Sequence, residues 1–310
     1  MFDRFKKKPL PPGVRVIRQA PPDVCGGTDA TVDDNAPKTI DSEDMTAFCA
    51  DSRLPFSMDE QPAGDPLEYL SAFAAPAADG VFLFLETARA SDRRSGKAGW
   101  ALVKQPLMPA LARRVREWDL AKNNGCHSQT HGLPENFGGR VDIRYAGGET
   151  IRFSNNQTPI LSRRVGEEMA AFFEEAMAGE WVALPSLDSL REIRFSEESR
   201  DGGFTRATMT LLPDGTAVNR KQMKFDDPQI YDSEKPMDAD TVAAIKQTVE
   251  TNGILGWAGL PHNGFRLSGE KRLTFVFDDG RQITVEGDRL LPDPIRGGFF
   301  SVELEMTTKG

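Results

Sequence analysis

Cysteine and histidine are scarce in this chain and long apolar runs are missing, and each shortage closes off a class of protein. There are three cysteines, Cys25, Cys49 and Cys126. An odd number cannot all pair, and no two stand at CxxC spacing, so neither a disulfide framework nor a dithiol redox motif is encoded. No stretch approaches the roughly 18 apolar residues that a membrane helix needs. Basic residues are outnumbered, 38 against 47 acidic, which leaves a formal charge of −9. They are also scattered among the acids, so the chain has no electrostatic footprint for nucleic acid. The start carries Arg4, Lys6, Lys7 and Lys8, yet Pro11-Pro12-Gly13 stands where the apolar segment of a secretion signal would follow. Together these absences predict a cytoplasmic protein with free thiols and with neither nucleic acid nor membrane as a partner.

What is present is ordinary for a globular chain: 310 residues, 39% hydrophobic and 27% charged. At about 150 residues per domain that length allows two domains or one large one. Residues 1–38 mix prolines, glycines and acids and read as an extended N-terminal segment, with one strand-like alternation at Val14–Ile17. Asp65-Pro66 offers a cap and a first-turn proline, and Leu67, Tyr69, Leu70 and Phe73 follow at helical spacing, which predicts a short helix over 66–74. The runs 81–85 and 100–103 read as strands.

Leu107, Leu111, Val115 and Trp118 then recur three or four apart, which predicts an amphipathic helix stopped by Asn124-Gly125. Residues 140–153 alternate on both sides of Gly147-Gly148, as a hairpin does. A second helix over 162–177 carries Val165, Met169, Phe172, Phe173 and Ala176 on one face. From Leu190 the same grammar resumes. A strand at 193–195 precedes a hairpin around Pro213-Asp214-Gly215, a helix over 240–251 turns Val242, Ile245 and Val249 inward, and a last hairpin closes on Asp279-Gly280.

The second half therefore repeats the first. Asn124-Gly125 and Asn252-Gly253 follow the two helices 128 residues apart, the blocks Gly132-Leu133-Pro134-Glu135-Asn136 and Gly259-Leu260-Pro261-His262-Asn263 lie 127 apart, and the hairpins beginning at Arg140 and Arg272 lie 132 apart. Helix, stop, GLPxN and hairpin in one order at nearly one offset predict an α+β fold built by tandem duplication. Each repeat packs a helix against an antiparallel sheet, with 39–185 as the first repeat and 186–310 as the second, side by side as a pseudo-dimer. A groove between two such repeats is where a small ligand or a protein partner is expected, because pockets favour such junctions.

One segment gathers reactive side chains: Cys126, His127 and His131 fall within six residues. Thiolate and imidazole together suit zinc. Between Asn-Gly and Gly-Leu-Pro, however, the segment reads as a loop, the glutamate of a zinc-protease helix is missing, and no fourth ligand can be named. A polar loop is the simpler reading, and no metal or cofactor is expected. Asn136 and Asn263 are weak candidates for a paired recognition edge, since bonding the backbone of their own turns suffices to explain them. Asn155 and Asn156 are weak candidates to line a polar pocket, against the same turn alternative. Ser95-Gly96-Lys97 lacks the glycine of a phosphate loop, and no GxSxG or GxGxxG occurs. The acids around Asp29, Asp33 and Asp34 lack the spacing of a calcium loop. The function these features favour is a non-catalytic binding or protein-interaction module using the groove or an exposed sheet edge. The alternative is a metal-assisted hydrolase working through Cys126, His127 and His131.

Overall fold

A computed structural model describes residues 14–19, 28–54, 65–91, 96–132, 137–199, 202–225, 229–261, 270–287, 291 and 293–308. Among them the fold is mixed α+β, with two sheets and four helices. None of the described helices is long and apolar enough to cross a membrane. Asn136, Asn263 and Cys25, singled out in the sequence, lie outside the described residues.

The first half runs β1 (Val14–Gln19), β2 (Thr28–Asp33), β3 (Met45–Arg53), β4 (Leu67–Ala77), β5 (Gly80–Arg89), β6 (Lys97–Val103), α1 (Met108–Glu117), a 3-10 turn (Leu120–Asn123), β7 (Cys126–Thr130), β8 (Gly139–Tyr145), β9 (Thr150–Asn155) and α2 (Arg163–Met177). Its sheet has the order β1-β2-β7-β9-β8-β3-β4-β5-β6. The second half runs β10 (Leu190–Glu198), β11 (Phe204–Leu211), β12 (Ala217–Lys224), β13 (Ile230–Met237), α3 (Ala239–Thr251), a 3-10 turn (Ile254–Trp257), β14 (Glu270–Phe277), β15 (Gln282–Glu286) and α4 (Asp293–Thr308), with sheet order β13-β12-β11-β10-β14-β15. The described pairs of this second sheet are antiparallel throughout. In the first sheet β7 and β9 pair in parallel, a departure from the antiparallel sheet expected.

The chain divides into two compact units, one of Met1–Ala72, Leu85–Ala98 and Leu107–Glu174, the other of Phe73–Phe84, Gly99–Pro106 and Glu175–Gly310. In the first unit Phe48, Val141, Ile143, Ile151 and Phe153 form one buried sheet face, and Leu111, Val115, Val165, Met169 and Phe173 are buried on the helices. The rings of Phe48 and Phe173 lie 5.7 Å apart, which places α2 on that face. Proline near the start of α1 and two arginines in its last turn suit the two ends of the helix dipole. In the second unit Val242, Ile245 and Val249 of α3 are buried together with Ile193, Phe195, Leu273 and Phe275 of the sheet. Asp238 caps α3 by accepting the Thr241 N–H at 2.7 Å. At the far end of α4, buried Asn219 of β12 donates to the Met306 carbonyl at 2.8 Å and Lys221 donates to the Thr307 carbonyl, so two orphan carbonyls of that helix end are satisfied by the sheet.

Three expectations change. Residues 67–77 are strand, not helix. From Leu70 to Ala75 this strand is buried on both faces, so the polar alternation that betrays a strand is absent, and Leu67, Leu70 and Phe73 imitate a helical repeat. The helix beginning near Leu107 ends at Glu117, not at Asn124-Gly125. Asp119, with φ of 52°, turns the chain into the 3-10 segment, and Gly125 follows that segment. The matched GLPxN blocks also sit in different places: Gly132 comes after β7, whereas Gly259 directly follows the 3-10 turn of the second half.

The order of elements in the two halves can be compared directly. Four strands, a helix, a 3-10 turn, two strands and a helix occur in both halves once β7, which follows the first 3-10 turn, is set aside, and the remaining strands take the same relative order in each sheet, β9-β8-β3-β4-β5-β6 and β15-β14-β10-β11-β12-β13. The left-handed residues fall in step as well. Asp119 (φ 52°) and Gly253 (φ 61°) precede the two 3-10 turns, while Gly125 (φ 78°) and Gly259 (φ 80°) follow them. Both pairs are 134 residues apart. A Cβ at Gly125 would lie 2.7 Å from that of Ala36, and one at Gly259 would lie 2.8 Å from the Ala78 nitrogen, so close approach adds to the positive φ in requiring glycine at both.

Leu111→Ala and Ile245→Ala each empty a fully packed position and are expected to lower the unfolding free energy by about 2–5 kcal/mol in urea titrations. A loss below about 0.5 kcal/mol for either would place its helix at the surface.

Candidate functional site

In the first unit the sheet surface opposite α1 and α2 is polar, and strand register fixes its membership. Phe48, Ala50, Val141, Ile143, Ile151 and Phe153 point to the core, so Cys49, Asp51, Arg140, Asp142, Arg152 and Ser154 stand on the other side. Register carries one row across four strands, His127 opposite Ser154, Ser154 opposite Arg140, and Arg140 opposite Asp51. The row ends where the Tyr69 hydroxyl donates to Asp51 Oδ2 at 3.0 Å, with the Arg53 guanidinium 5.3 Å from the Tyr69 ring centre. Burial and the Asp51 charge hold the Glu86 carboxyl above the usual carboxylate range. Burial pushes the Tyr69 phenol upward, and the charges of Asp51 and Glu86 add to the effect.

The other end of the row opens into a cavity of about 410 Å³ lined by Thr31, Asp33, Asn124, His127, Thr150 and Arg152, among others. Asn124 builds it. Its buried amide donates to the carbonyls of Pro37 at 3.0 Å and Thr150 at 2.8 Å, and its Oδ1 accepts the Arg152 N–H at 2.7 Å. Lys38 donates to the Asn124 carbonyl. Two other segments, the one at Pro37 and the start of β9, are thereby tied to one side chain. Asp33 closes the next turn, accepting the Asn35 N–H on Oδ1 at 2.9 Å. Arg152 pairs through Nε with Asp142 at 3.4 Å, and Asp142 is shared with Arg144 Nε at 3.1 Å. His127 Nδ1 lies 3.0 Å from Ser154 Oγ. Partial burial, and after it the positive charge of Arg152, pull the His127 imidazole below its ordinary value.

The segment of Cys126, His127 and His131 is not a loop. Residues 126–130 form β7, paired with β2 on one side and β9 on the other. Alternation therefore sends Cys126 and His127 to opposite faces. Cys126, a half-buried free thiol, lines a second cavity of about 300 Å³ with Ala30, Val32, Ser128 and Phe153, and His127 borders both cavities. His131 lies just beyond the strand, its Nε2 3.1 Å from Asp29 Oδ2. Among the described residues no cluster of three or more His, Cys, Asp or Glu is arranged to hold a metal.

Asn155 and Asn156 hold backbone. Asn156 is buried, accepts the Thr130 N–H at 2.8 Å and donates to the Thr130 carbonyl at 3.0 Å, so its amide acts as one further rung beside β7. Asn155 accepts the Gln157 N–H at 2.6 Å and donates to Thr158 Oγ1 at 3.0 Å. Thr31, Asn124 and Arg152, which frame the cavity, were not singled out as site residues in the sequence. The alternation of β9 carried the signal for Arg152, while Asn124 was masked by its resemblance to a helix stop.

No protein-family model matches the sequence, and no curated protein matches it.

His127 gives a pH signature. Its folded value lies below the ordinary 6.5, so the unfolded chain takes the proton first as pH falls. Its contribution to stability is complete above about pH 6.5 and is lost as pH drops from there through the folded value. Urea midpoints measured across that window should decline for the natural chain and decline less for His127→Gln. Asn124→Ala strands two carbonyls and one N–H, and a destabilisation of at least about 1–3 kcal/mol is expected in the same assay.

Proposed function

We propose that the chain is a non-catalytic cytoplasmic binding module made of two copies of one α+β repeat, 39–185 and 186–310, and that it takes a small polar ligand in the cavity beside β7. The repeated order of strands, helices and 3-10 turns supports the duplication. One observation carries the binding reading: the cavity is lined from β2, β7 and β9, and β2 and β7 have no counterpart in the second sheet among the described residues. What the first sheet adds to the shared set is what encloses the space. Binding residues commonly sit on such additions to a rigid scaffold.

A catalytic reading is less well supported. Ser154 and His127 are within hydrogen-bond reach, but a nucleophile and base acting together need a third group to orient the base. No described residue bonds His127 Nε2. The free thiols Cys49 and Cys126 agree with a reducing compartment.

The test is thermal stabilisation of the full chain by a panel of small polar compounds, together with Thr31→Trp, which fills the cavity from an outward-facing strand position. At least one compound should raise the melting temperature of the natural chain in a concentration-dependent way, and the variant should not respond. No response from any compound would reject the reading. So would near-stoichiometric zinc in untagged protein that is lost from the His127→Ala/His131→Ala variant, a result that would make the hydrolase the leading reading.

A further inference from the structure

We infer that the group received by this cavity is an oxyanion, a carboxylate or a phosphate, held by the terminal nitrogens of Arg152 beside His127 and Thr31; the inference rests on the binding reading and names its chemistry. Arg152 is the only guanidinium among the described residues that line the cavity. Its guanidinium meets Asp142 Oδ2 through Nε at 3.4 Å, while the same residue lines a space of about 410 Å³. A planar fork of that kind matches the two oxygens of a carboxylate or phosphate.

Charge around the cavity points the same way. Asp142 divides its carboxylate between Arg144 and Arg152. Lys38 stands at the Asn124 carbonyl on the cavity wall. Among the lining residues Arg152 balances Asp33, so the cavity is neutral in a chain whose total is −9. Asp33 opposes an anion, but one of its oxygens is already committed to the Asn35 N–H. His127 Nε2 and the Thr31 hydroxyl have no described partner and can complete the donor set. A protein surface repels small anions at this overall charge, so a locally neutral cavity that carries a guanidinium is the feature an oxyanion would find.

The experiment is isothermal titration of the full chain with inorganic phosphate and, separately, with succinate, at low ionic strength. The natural chain should bind at least one of them, and the tighter of the two identifies the oxyanion class. Arg152→Met should weaken that binding about tenfold or more. Asp33→Asn keeps an acceptor for the Asn35 N–H and removes the opposing charge, so it should tighten binding. Opposite changes in two neighbouring variants cannot arise from a general loss of folding. Binding that Arg152→Met leaves unchanged would overturn the inference. Failure of both anions, while a neutral polar compound binds and is lost in Thr31→Trp, would overturn it and leave the binding reading standing. Failure of every compound would reject both.

Discussion

Burial of one face of β3, β8 and β9 beneath two helices is the constraint from which the candidate site follows. Side chains on a strand alternate, so seating Phe48, Val141, Ile143, Ile151 and Phe153 in the core obliges Asp51, Arg140, Asp142, Arg152 and Ser154 onto the opposite surface. Each large apolar side chain is worth about 1.5–3 kcal/mol when buried, whereas an exposed ion pair returns about 0–1 kcal/mol. The register is therefore set by the core. A slip of one residue would expose five large apolar groups and bury the charged row, and no arrangement of that row could compensate.

The cavity depends on a second, more local device. Beyond β9 the sheet is extended by polar strands whose side chains offer little apolar burial, and hydrogen bonds do the positioning instead. Asn124 joins the turn near Pro37, the start of β9 and the end of the 3-10 turn, while Asn156 extends the ladder beside Thr130. Thr28 and Thr130 meet through their hydroxyls at 2.7 Å, with Gln157 donating to Thr28 Oγ1 at 3.0 Å. Buried amides fix such places because each group left unpaired costs more than the bond returns.

The two halves place a 3-10 turn after a helix in the same order but surround it with different side chains. Positions 134 residues apart on the 3-10 turns pair Asp119 with Gly253, Lys122 with Gly256 and Asn123 with Trp257. In the second unit Trp257 is fully buried, and at Gly253 and Gly256 an added Cβ would meet the rings of Trp100 and Phe82 at 2.3 and 3.1 Å. In the first unit Lys122 is exposed and pairs with Asp119 at 3.6 Å. One 3-10 turn is an apolar seat and the other a hydrated surface, because their side chains decide what each packs against.

Legibility in the sequence followed the same physics. Hairpins at Gly148, Gly215 and Gly280 were readable because positive φ demands glycine and the flanking strands alternate. The helices 163–177 and 239–251 were readable because one face is buried and the other is not. Residues 45–53, 230–237 and 293–308 gave no such signal, and 67–77 gave a false one, since a strand buried on both faces has no polar side to mark its period. The polar strand 126–130 was invisible for the converse reason: it has almost no apolar face, and its identity comes from bonds to β2 and β9. By itself the sequence determined the one-sided helices and the glycine turns, which are local properties of the chain. Only the tertiary structure decided where Arg152, His127 and Thr31 meet, because they come from strands far apart in the chain that hydrogen bonding alone sets side by side.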